Sequence, residues 1–232
     1  MRPVLVHQCS IVGGPHAPPA QRGYPFHHRP EARTVQKTLA LFDIDGTLTT
    51  ADTMFAFARH AVGTTRFVCS LVLLSPMLVL ARFGLIHRGA AKGRMLRWMF
   101  RGHSRDHLEA AAITFVHTVL PGLLRAAGIQ QVRAHHAQGH EVFFVSASLD
   151  LWLAPFAAQQ DATLICTPTH WAQDRFVGLG GPNCRGVEKV RRLKEQVDLA
   201  SYPSIAAYGD SSGDTEMLAI ATTAHFKPFR DG

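Results

Sequence analysis

The stretch Asp43-Ile44-Asp45-Gly46-Thr47-Leu48 decides the fold of this chain. It directly follows the apolar run Leu39–Phe42, which is typical of a buried strand. Two carboxylates therefore lie two positions apart at the carboxyl end of a predicted parallel strand, the edge where open α/β sheets bind ligands. Because adjacent acids repel each other, we expect a divalent cation with oxygen ligands to hold them together. One acid can then act as a nucleophile and the other as an acid/base.

Two further apolar runs also end in polar residues. Val142–Val145 is followed by Ser146, and Ile205–Tyr208 is followed by Asp210, with Asp214 four residues later. Between these runs, a lysine lies near the start of an amphipathic segment that follows a glycine. Along the chain, the predicted edge thus receives a carboxylate pair, a hydroxyl, an ammonium and a second carboxylate pair.

These groups and their order resemble the four motifs of the haloacid dehalogenase superfamily. The motifs are matched by Asp43 with Asp45, Ser146, Lys189, and Asp210 with Asp214. The resemblance covers about residues 38 to 228. It implies an α/β fold, namely a three-layer α/β/α Rossmann-like core with a parallel sheet and an inserted α-helical cap.

The resemblance also implies a role for each residue in the transfer of a phosphoryl group from a monoester. Asp43 is the nucleophile, and Asp45 protonates the leaving alcohol and then deprotonates water. Lys189 offsets charge between Asp43 and the phosphate. Ser146, Ala147 and Lys189 contact the phosphoryl group, and Mg²⁺ is held by Asp43, a main-chain oxygen of Asp45, and Asp210.

Several alternatives stay open at this point. Ser148 is an alternative to Ser146 as the phosphate contact. Asp214 is expected to orient Lys189 or a metal-bound water, although it also suits the N-cap of a helix over 215–221. Asp45 favours phosphoryl transfer over dehalogenation, because a halide leaves without a proton and an alkoxide does not.

The length of the chain fits one domain of ordinary size, or a core with a small inserted cap. The 232 residues are 47% hydrophobic, and the four cysteines show no CxxC spacing, which favours reduced thiols and a cytoplasmic site. Residues 1–36 are rich in proline and glycine and are predicted to be a disordered extension. The paired histidines at 27–28 and 135–136 are interpreted as surface residues.

The interval between the first two motifs is far too long for a loop. It predicts four helices over residues 51–121, beginning after Asp52 and after Ser104 and broken at Gly63 and Gly102. We therefore assign residues 51–121 to the cap, and residues 37–50 and 122–232 to the catalytic core. An all-helical cap at this place is similar to the helical-cap subfamily, whose best-known member is phosphoserine phosphatase.

The predicted cap is both apolar and basic. Residues 67–81 carry no charge, but Pro76 and Arg82 argue against a membrane span, so we expect a buried or interfacial hairpin within 67–86. Many basic residues and one acid, Asp106, surround it: Arg59, Arg66, Arg82, Arg88, Lys92, Arg94, Arg97, Arg101 and Arg105. This pattern favours an anionic membrane surface, at the inner face of the membrane, or an electropositive phosphate entrance. No nucleic acid is expected, since no binding motif for it is present.

The sequence leaves the substrate open. The apolar cap and the segments 100–104 and 183–186 resemble a branch that includes lipid phosphatases of the phosphatidylglycerophosphate type. Phosphoserine phosphatases carry a glutamate where this chain has Asp52, and glycines where it has Ala147 and Ser148. We therefore expect a Mg²⁺-dependent phosphomonoesterase acting on a small or lipid-linked phosphate. A phosphotransferase and a non-catalytic membrane-binding protein are the remaining alternatives.

Overall fold

A computed structural model describes residues 37–86 and 88–230. The predicted disorder of residues 1–36 and the histidine pair at 27–28 lie outside this part. In chain order the elements are β1 (Thr38–Phe42), α1 (Thr53–Val62), α2 (Thr64–Arg82), α3 (Arg88–Met99), α4 (Arg105–Thr118), α5 (Ala126–Ala137), β2 (Glu141–Leu149), α6 (Asp150–Gln159), β3 (Thr163–Thr167), β4 (Thr169–Ala172), β5 (Arg175–Leu179), α7 (Val187–Gln196), β6 (Ser204–Gly209), α8 (Thr215–Ala219) and β7 (Thr223–Phe226).

The central sheet has five strands in the order β3-β2-β1-β6-β7, and every neighbouring pair is parallel. Alternate side chains of its strands enter two separate cores, as the period of a strand requires. Phe42 and Phe144 pack with α5 and α6 on one face, whereas Leu41 and Val145 pack with Leu193 of α7 on the other. The three-layer α/β/α fold predicted from the sequence is therefore confirmed.

Helices α1 to α4 are inserted between β1 and the rest of the core. Asp52 accepts a hydrogen bond from the Met54 amide at 2.8 Å and so caps α1, and Ser104 caps α4 in the same way. Phe57 of α1 stacks on Trp152 of α6, with ring centroids 5.0 Å apart. Aromatic packing thus joins the inserted helices to the core.

Helix α2 runs unbroken from Thr64 to Arg82, so the hairpin expected within residues 67–86 is not formed. Pro76 lies inside this helix and cannot donate to the carbonyl four residues earlier. The Ser75 hydroxyl donates to that carbonyl, Val72 O, at 2.8 Å, which satisfies the acceptor that proline leaves free. Within the described ranges, no helix has the length and apolar character needed to cross a bilayer.

Two features were not predicted from the sequence. Strands β4 and β5 form a separate antiparallel pair, and β5 packs against α3 of the insertion. The interpretation of both residues at 135–136 as surface residues was wrong, because His135 is only 5% exposed. Its Nε2 lies 3.0 Å from the Tyr208 hydroxyl and its Nδ1 lies 2.7 Å from Nδ1 of His140. Position 135 faces inward because α5 packs one side on the sheet.

Candidate active site

Three neighbouring parallel strands bring the predicted site residues to one edge of the sheet. Asp43 follows β1, Ser146 lies within β2, and Asp210 follows β6. The amide of Asp43 donates to Tyr208 O at 2.9 Å, which extends the β1–β6 ladder to the first carboxylate. Strand β2 does not end at Ser146, as the apolar run suggested, but continues to Leu149 with a change of register against β3. Ser146 and Ser148 lie two positions apart in this stretch, and both hydroxyls point toward Asp45.

The turn after Asp43 requires glycine. Gly46 has φ of +87°, a conformation that side chains disfavour. A Cβ atom there would lie only 2.4 Å from Oδ2 of Asp210. The chain of the first motif therefore passes directly against the carboxylate of the fourth motif, and glycine alone permits this approach.

Lys189 lies at the centre of the site. Its Nζ is 2.6 Å from Oδ1 of Asp43, 2.6 Å from Oδ1 of Asp214 and 2.6 Å from the carbonyl of Val145. The side chain is 2% exposed and begins in the first turn of α7, which follows Gly186 at a φ of +62°. A fully buried ammonium with three oxygen acceptors is both charged and fixed in position.

The charges of this buried group shift one another's pKa values. Burial disfavours the Lys189 ammonium, but Asp43 and Asp214 outweigh this effect and raise the pKa of the lysine. Burial raises the pKa of Asp43 to about 7, although Lys189 opposes the shift. Burial also acts on Asp214, where Lys189 and hydrogen bonds from Ser211 outweigh it and lower the pKa. Asp214 is therefore the permanent counter-ion of the lysine, and Asp43 is the more basic carboxylate.

Asp214 occupies the N-cap position of α8, but its side chain makes no capping hydrogen bond. Its second oxygen, Oδ2, accepts from the amide and hydroxyl of Ser211, each at 2.9 Å. Of the two roles that the sequence left open for Asp214, the geometry matches the orientation of Lys189.

Asp45 is held by four donors. Its Oδ1 accepts from the Thr53 amide at 2.7 Å and the Thr53 hydroxyl at 2.6 Å. Its Oδ2 accepts from the hydroxyls of Ser148 at 2.6 Å and Ser146 at 3.3 Å. The indole of Trp152 donates to the Thr53 hydroxyl at 3.0 Å. Both serines that the sequence proposed as phosphate contacts thus lie beside Asp45.

Three carboxylates offer oxygen atoms to a metal ion. One oxygen each of Asp43, Asp210 and Asp214 lies within 4.8 Å of the other two. All three of these residues have other partners, since Asp43 and Asp214 contact Lys189 and Asp210 forms an ion pair with Arg230 at 2.6 Å. Asp43 and Asp210 match the ligand pair predicted from the sequence, and their hard oxygen donors suit Mg²⁺.

Sequence reasoning missed two cations near this site. Arg230 pairs with Asp210, although it lies beyond the last motif. Lys92 of α3 is half-buried and donates to the carbonyl of Ala147 at 2.8 Å. Nothing distinguished Lys92 among the many basic residues of the cap. Helix α3 carries four basic residues and no acid, but this composition does not show which of the four lies near the site.

Comparison with known sequences identifies relatives over most of the chain. Residues 40–219 match the haloacid dehalogenase-like hydrolase family. Protein CicA of Caulobacter vibrioides is 38% identical over 195 residues, which are 83% of this chain and 86% of that protein. A probable phosphatase of Mycobacterium tuberculosis is 26% identical over 209 residues, which cover 86% of this chain and 72% of the relative.

Solved structures share the fold. A Bordetella pertussis protein of unknown function superposes with a TM-score of 0.70 at 22% identity, covering 81% of this chain and 88% of its own. A phosphoserine phosphohydrolase-like protein from Francisella tularensis has a TM-score of 0.58 at 17% identity, covering 82% of this chain and 85% of its own. The matched residues, the parallel sheet and the inserted helices together show that this chain belongs to the haloacid dehalogenase-like hydrolase family.

Proposed function

We propose that this protein hydrolyses phosphate monoesters through a phosphoaspartate formed on Asp43. The observation that carries the proposal is the buried contact of Asp43 with Lys189, at 2.6 Å, in which the lysine is fixed by Asp214 and Val145 O. The ammonium can therefore neutralise an incoming phosphate without leaving its position. The relative from Mycobacterium tuberculosis that is called a probable phosphatase supports the same reaction.

Mg²⁺ is the proposed cofactor, because the donor set consists of carboxylate oxygens. Asp43 and Asp210 would hold it, together with the main-chain oxygen of Asp45 named from the family resemblance. When bound, Mg²⁺ supplies positive charge that offsets repulsion between a carboxylate nucleophile and a phosphate dianion. The raised pKa of Asp43, about 7, is consistent with a carboxylate that needs a nearby cation to stay ionised.

In the proposed reaction an oxygen of Asp43 forms a bond to phosphorus while the bond from phosphorus to the ester oxygen breaks. Asp45 donates its proton to that oxygen, and the alcohol leaves. Asp45 then accepts a proton from water, which attacks the phosphoaspartate and releases inorganic phosphate. The amide and hydroxyl of Thr53 and the hydroxyl of Ser148 hold the Asp45 carboxyl group in one orientation for both proton transfers, and the more distant Ser146 hydroxyl, at 3.3 Å, is free to turn to the phosphoryl group.

Ser146 and Ala147 are the proposed contacts of the phosphoryl oxygens, together with Lys189. Ser146 is completely buried, and its hydroxyl accepts from the Ser148 amide at 3.0 Å. Lys92 and the Thr167 hydroxyl both lie 2.8 Å from the carbonyl of Ala147. These contacts fix the peptide backbone at the position where a phosphate would bind.

The nucleophile is tested with an aryl phosphate and Mg²⁺. Asp43→Asn should lower the rate of phosphate release by roughly 10³-fold or more, because an amide is no nucleophile here. Asp45→Asn should slow turnover and allow phosphoenzyme to accumulate after a quench. Asp106→Asn, at an exposed position on α4, is the matched control and should keep full activity. Wild-type turnover by Asp43→Asn would refute the assignment.

A second candidate is a membrane-associated phosphatase of lipid phosphates, at the inner face of the membrane. It is favoured by large apolar side chains that lie exposed along and after α2, among them Val72 at 69% and Phe83 at 75% exposure. Such side chains beside basic residues suit an anionic bilayer surface.

A phosphate-release screen separates these substrates. Phosphoserine, phosphatidylglycerol phosphate and lysophosphatidate are compared at equal concentration, with and without anionic vesicles. Preference for a lipid and stimulation by vesicles support the second candidate, whereas preference for phosphoserine contradicts it. Added glycerol tests the phosphotransferase alternative, because transfer would yield glycerol phosphate in place of inorganic phosphate.

A further inference from the structure

A large cavity lies in the inserted helices, apart from the carboxylate cluster. It has a volume of about 770 Å³, opens to solvent, and is lined by residues of α2, α3, the turn after α3, and β5. Its lining consists of four arginines, one glycine and five apolar residues: Arg94, Arg97, Arg101, Arg175, Gly102, Leu74, Met77, Trp98, Phe176 and Val177. No acidic residue among those that the structure describes contributes to it.

The guanidinium groups of this cavity lack acidic partners. Among residues 37–86 and 88–230, the arginines that form ion pairs are Arg105, Arg191, Arg192 and Arg230. None of the four cavity arginines forms such a pair within these ranges. Because like charges repel, four arginines around one space favour binding of an anion.

The remaining wall of the cavity is apolar. Leu74 and Met77 come from α2, Trp98 from α3, and Phe176 and Val177 from β5. Trp98 is 44% exposed, which leaves its ring open to a ligand. The cavity is lined by arginines and by aliphatic and aromatic side chains. Such a lining suits a ligand that has both an anionic group and an apolar chain.

A second cavity of about 460 Å³ shares part of its lining with the first. Arg94 and Arg97 line both cavities, and Asn183 lines only the second. The Thr167 hydroxyl lies 3.3 Å from Oδ1 of Asn183 and 2.8 Å from the carbonyl of Ala147. Asn183 and Thr167 therefore link the cavity that Arg94 and Arg97 line to Ala147, the proposed phosphate contact.

We propose that Arg94 and Arg97 bind an anionic group that is not hydrolysed, and that the apolar wall binds an adjoining alkyl or acyl chain. The ligand class is an anionic amphiphile. Its role as part of the substrate rests on the proposed function, in which a separate phosphoryl group reaches Asp43. Binding itself does not depend on turnover and can be measured alone.

Calorimetry with decyl sulfate below its micelle concentration tests the site. Wild-type protein should bind decyl sulfate more tightly than methyl sulfate, which lacks the chain, and decyl maltoside, which lacks the charge. The double variant Arg94→Gln with Arg97→Gln should weaken binding by roughly 10- to 100-fold, as expected for lost charge-assisted hydrogen bonds. The double variant Arg133→Gln with Lys194→Gln removes two exposed charges from α5 and α7 and should bind like wild type.

Equal binding by the Arg94/Arg97 variant, equal binding of methyl sulfate, or no binding by wild type would each overturn the proposal. Asp43→Asn should bind decyl sulfate normally, so a failed phosphatase assay and a failed amphiphile site are distinguishable. Sedimentation with phosphatidylglycerol vesicles identifies the source of the amphiphile. Vesicle binding that the Arg94/Arg97 variant loses supports a lipid headgroup as ligand, and decyl sulfate binding without vesicle binding supports a free amphiphile.

Discussion

The carboxylate cluster at the sheet edge and the arginine cavity of the inserted helices differ in whether their charged side chains are buried and paired. At the sheet edge, Lys189 is 2% exposed and lies 2.6 Å from both Asp43 and Asp214. In the cavity, Arg94 and Arg97 are exposed and have no acidic partner in the described part of the chain. The first arrangement fixes charges for chemistry, and the second leaves charges available to a ligand. Stability should therefore depend strongly on the first and little on the second.

The largest effect is expected from Lys189→Met. Removing the ammonium leaves Asp43 and Asp214 buried without a counter-ion, which should lower the free energy of unfolding by about 3–5 kcal/mol. Urea denaturation at neutral pH measures this loss. Lys194→Met, which removes an exposed charge five residues later on the same helix, should leave the midpoint unchanged. Similar midpoints for the two variants would show that the contacts of Lys189 with Asp43 and Asp214 do not stabilise the fold.

Gly46→Ala should have the next largest effect. The residue has φ of +87°, and the new methyl group would meet Oδ2 of Asp210 at 2.4 Å. Backbone strain alone should cost about 1–3 kcal/mol, and displacement of Asp210 should weaken binding of Mg²⁺. Thermal unfolding and Mg²⁺ titration of aryl phosphate turnover measure the two effects. Gly122→Ala is the control, since a Cβ there meets no atom within 4 Å. An unchanged Mg²⁺ requirement would show that Gly46 does not determine the position of the Asp210 carboxylate.

His135 provides a buried group that is neutral instead of charged. Burial lowers its pKa to about 4, and His140 adds to the shift. Because the unfolded chain binds a proton near pH 6.5 and the folded chain does not, stability should fall as the pH decreases from about 6.5 to 4. Between pH 7.5 and pH 5 we expect a loss of about 1–2 kcal/mol from this residue.

The pH dependence is measured by urea denaturation of wild type and His135→Gln. The variant should be less stable at pH 7.5, because it lacks the hydrogen bonds to Tyr208 and His140, but its stability should change less between the two pH values. Parallel pH profiles would show that His135 is protonated equally in both states.

The smallest effect on stability is expected from Arg94→Gln with Arg97→Gln. These exposed guanidinium groups form no ion pair with any described residue, so the free energy of unfolding should change by less than about 0.5 kcal/mol. Urea denaturation beside Lys189→Met gives the direct contrast. A loss as large as that of Lys189→Met would mean that the cavity arginines are structural, and the comparison of the two regions would no longer hold.

The residues at the sheet edge could be predicted from the sequence, whereas the burial of the side chains around them could not. Asp43, Ser146 and Asp210 each follow or end a recognisable apolar run, and parallel strands necessarily bring such ends to one edge. Lys189 was identified from its motif, because nothing in a basic helix distinguishes the one lysine that is buried. His135 was misinterpreted because adjacent histidines point in different directions, and only the packing of α5 determines which one faces the sheet.

The sequence by itself determined the succession of the motif-bearing strands along the chain, the run of helices after the first strand, and the residue types at the sheet edge. Hydrophobic periodicity and turn residues are local, so a single sequence carries them. Tertiary structure alone decided which cations are neutralised and which are not. Lys189 meets Asp43 across 146 positions of sequence, and Arg94 meets no acid in the described ranges. Such partnerships depend on contacts between distant segments, and no local pattern encodes them.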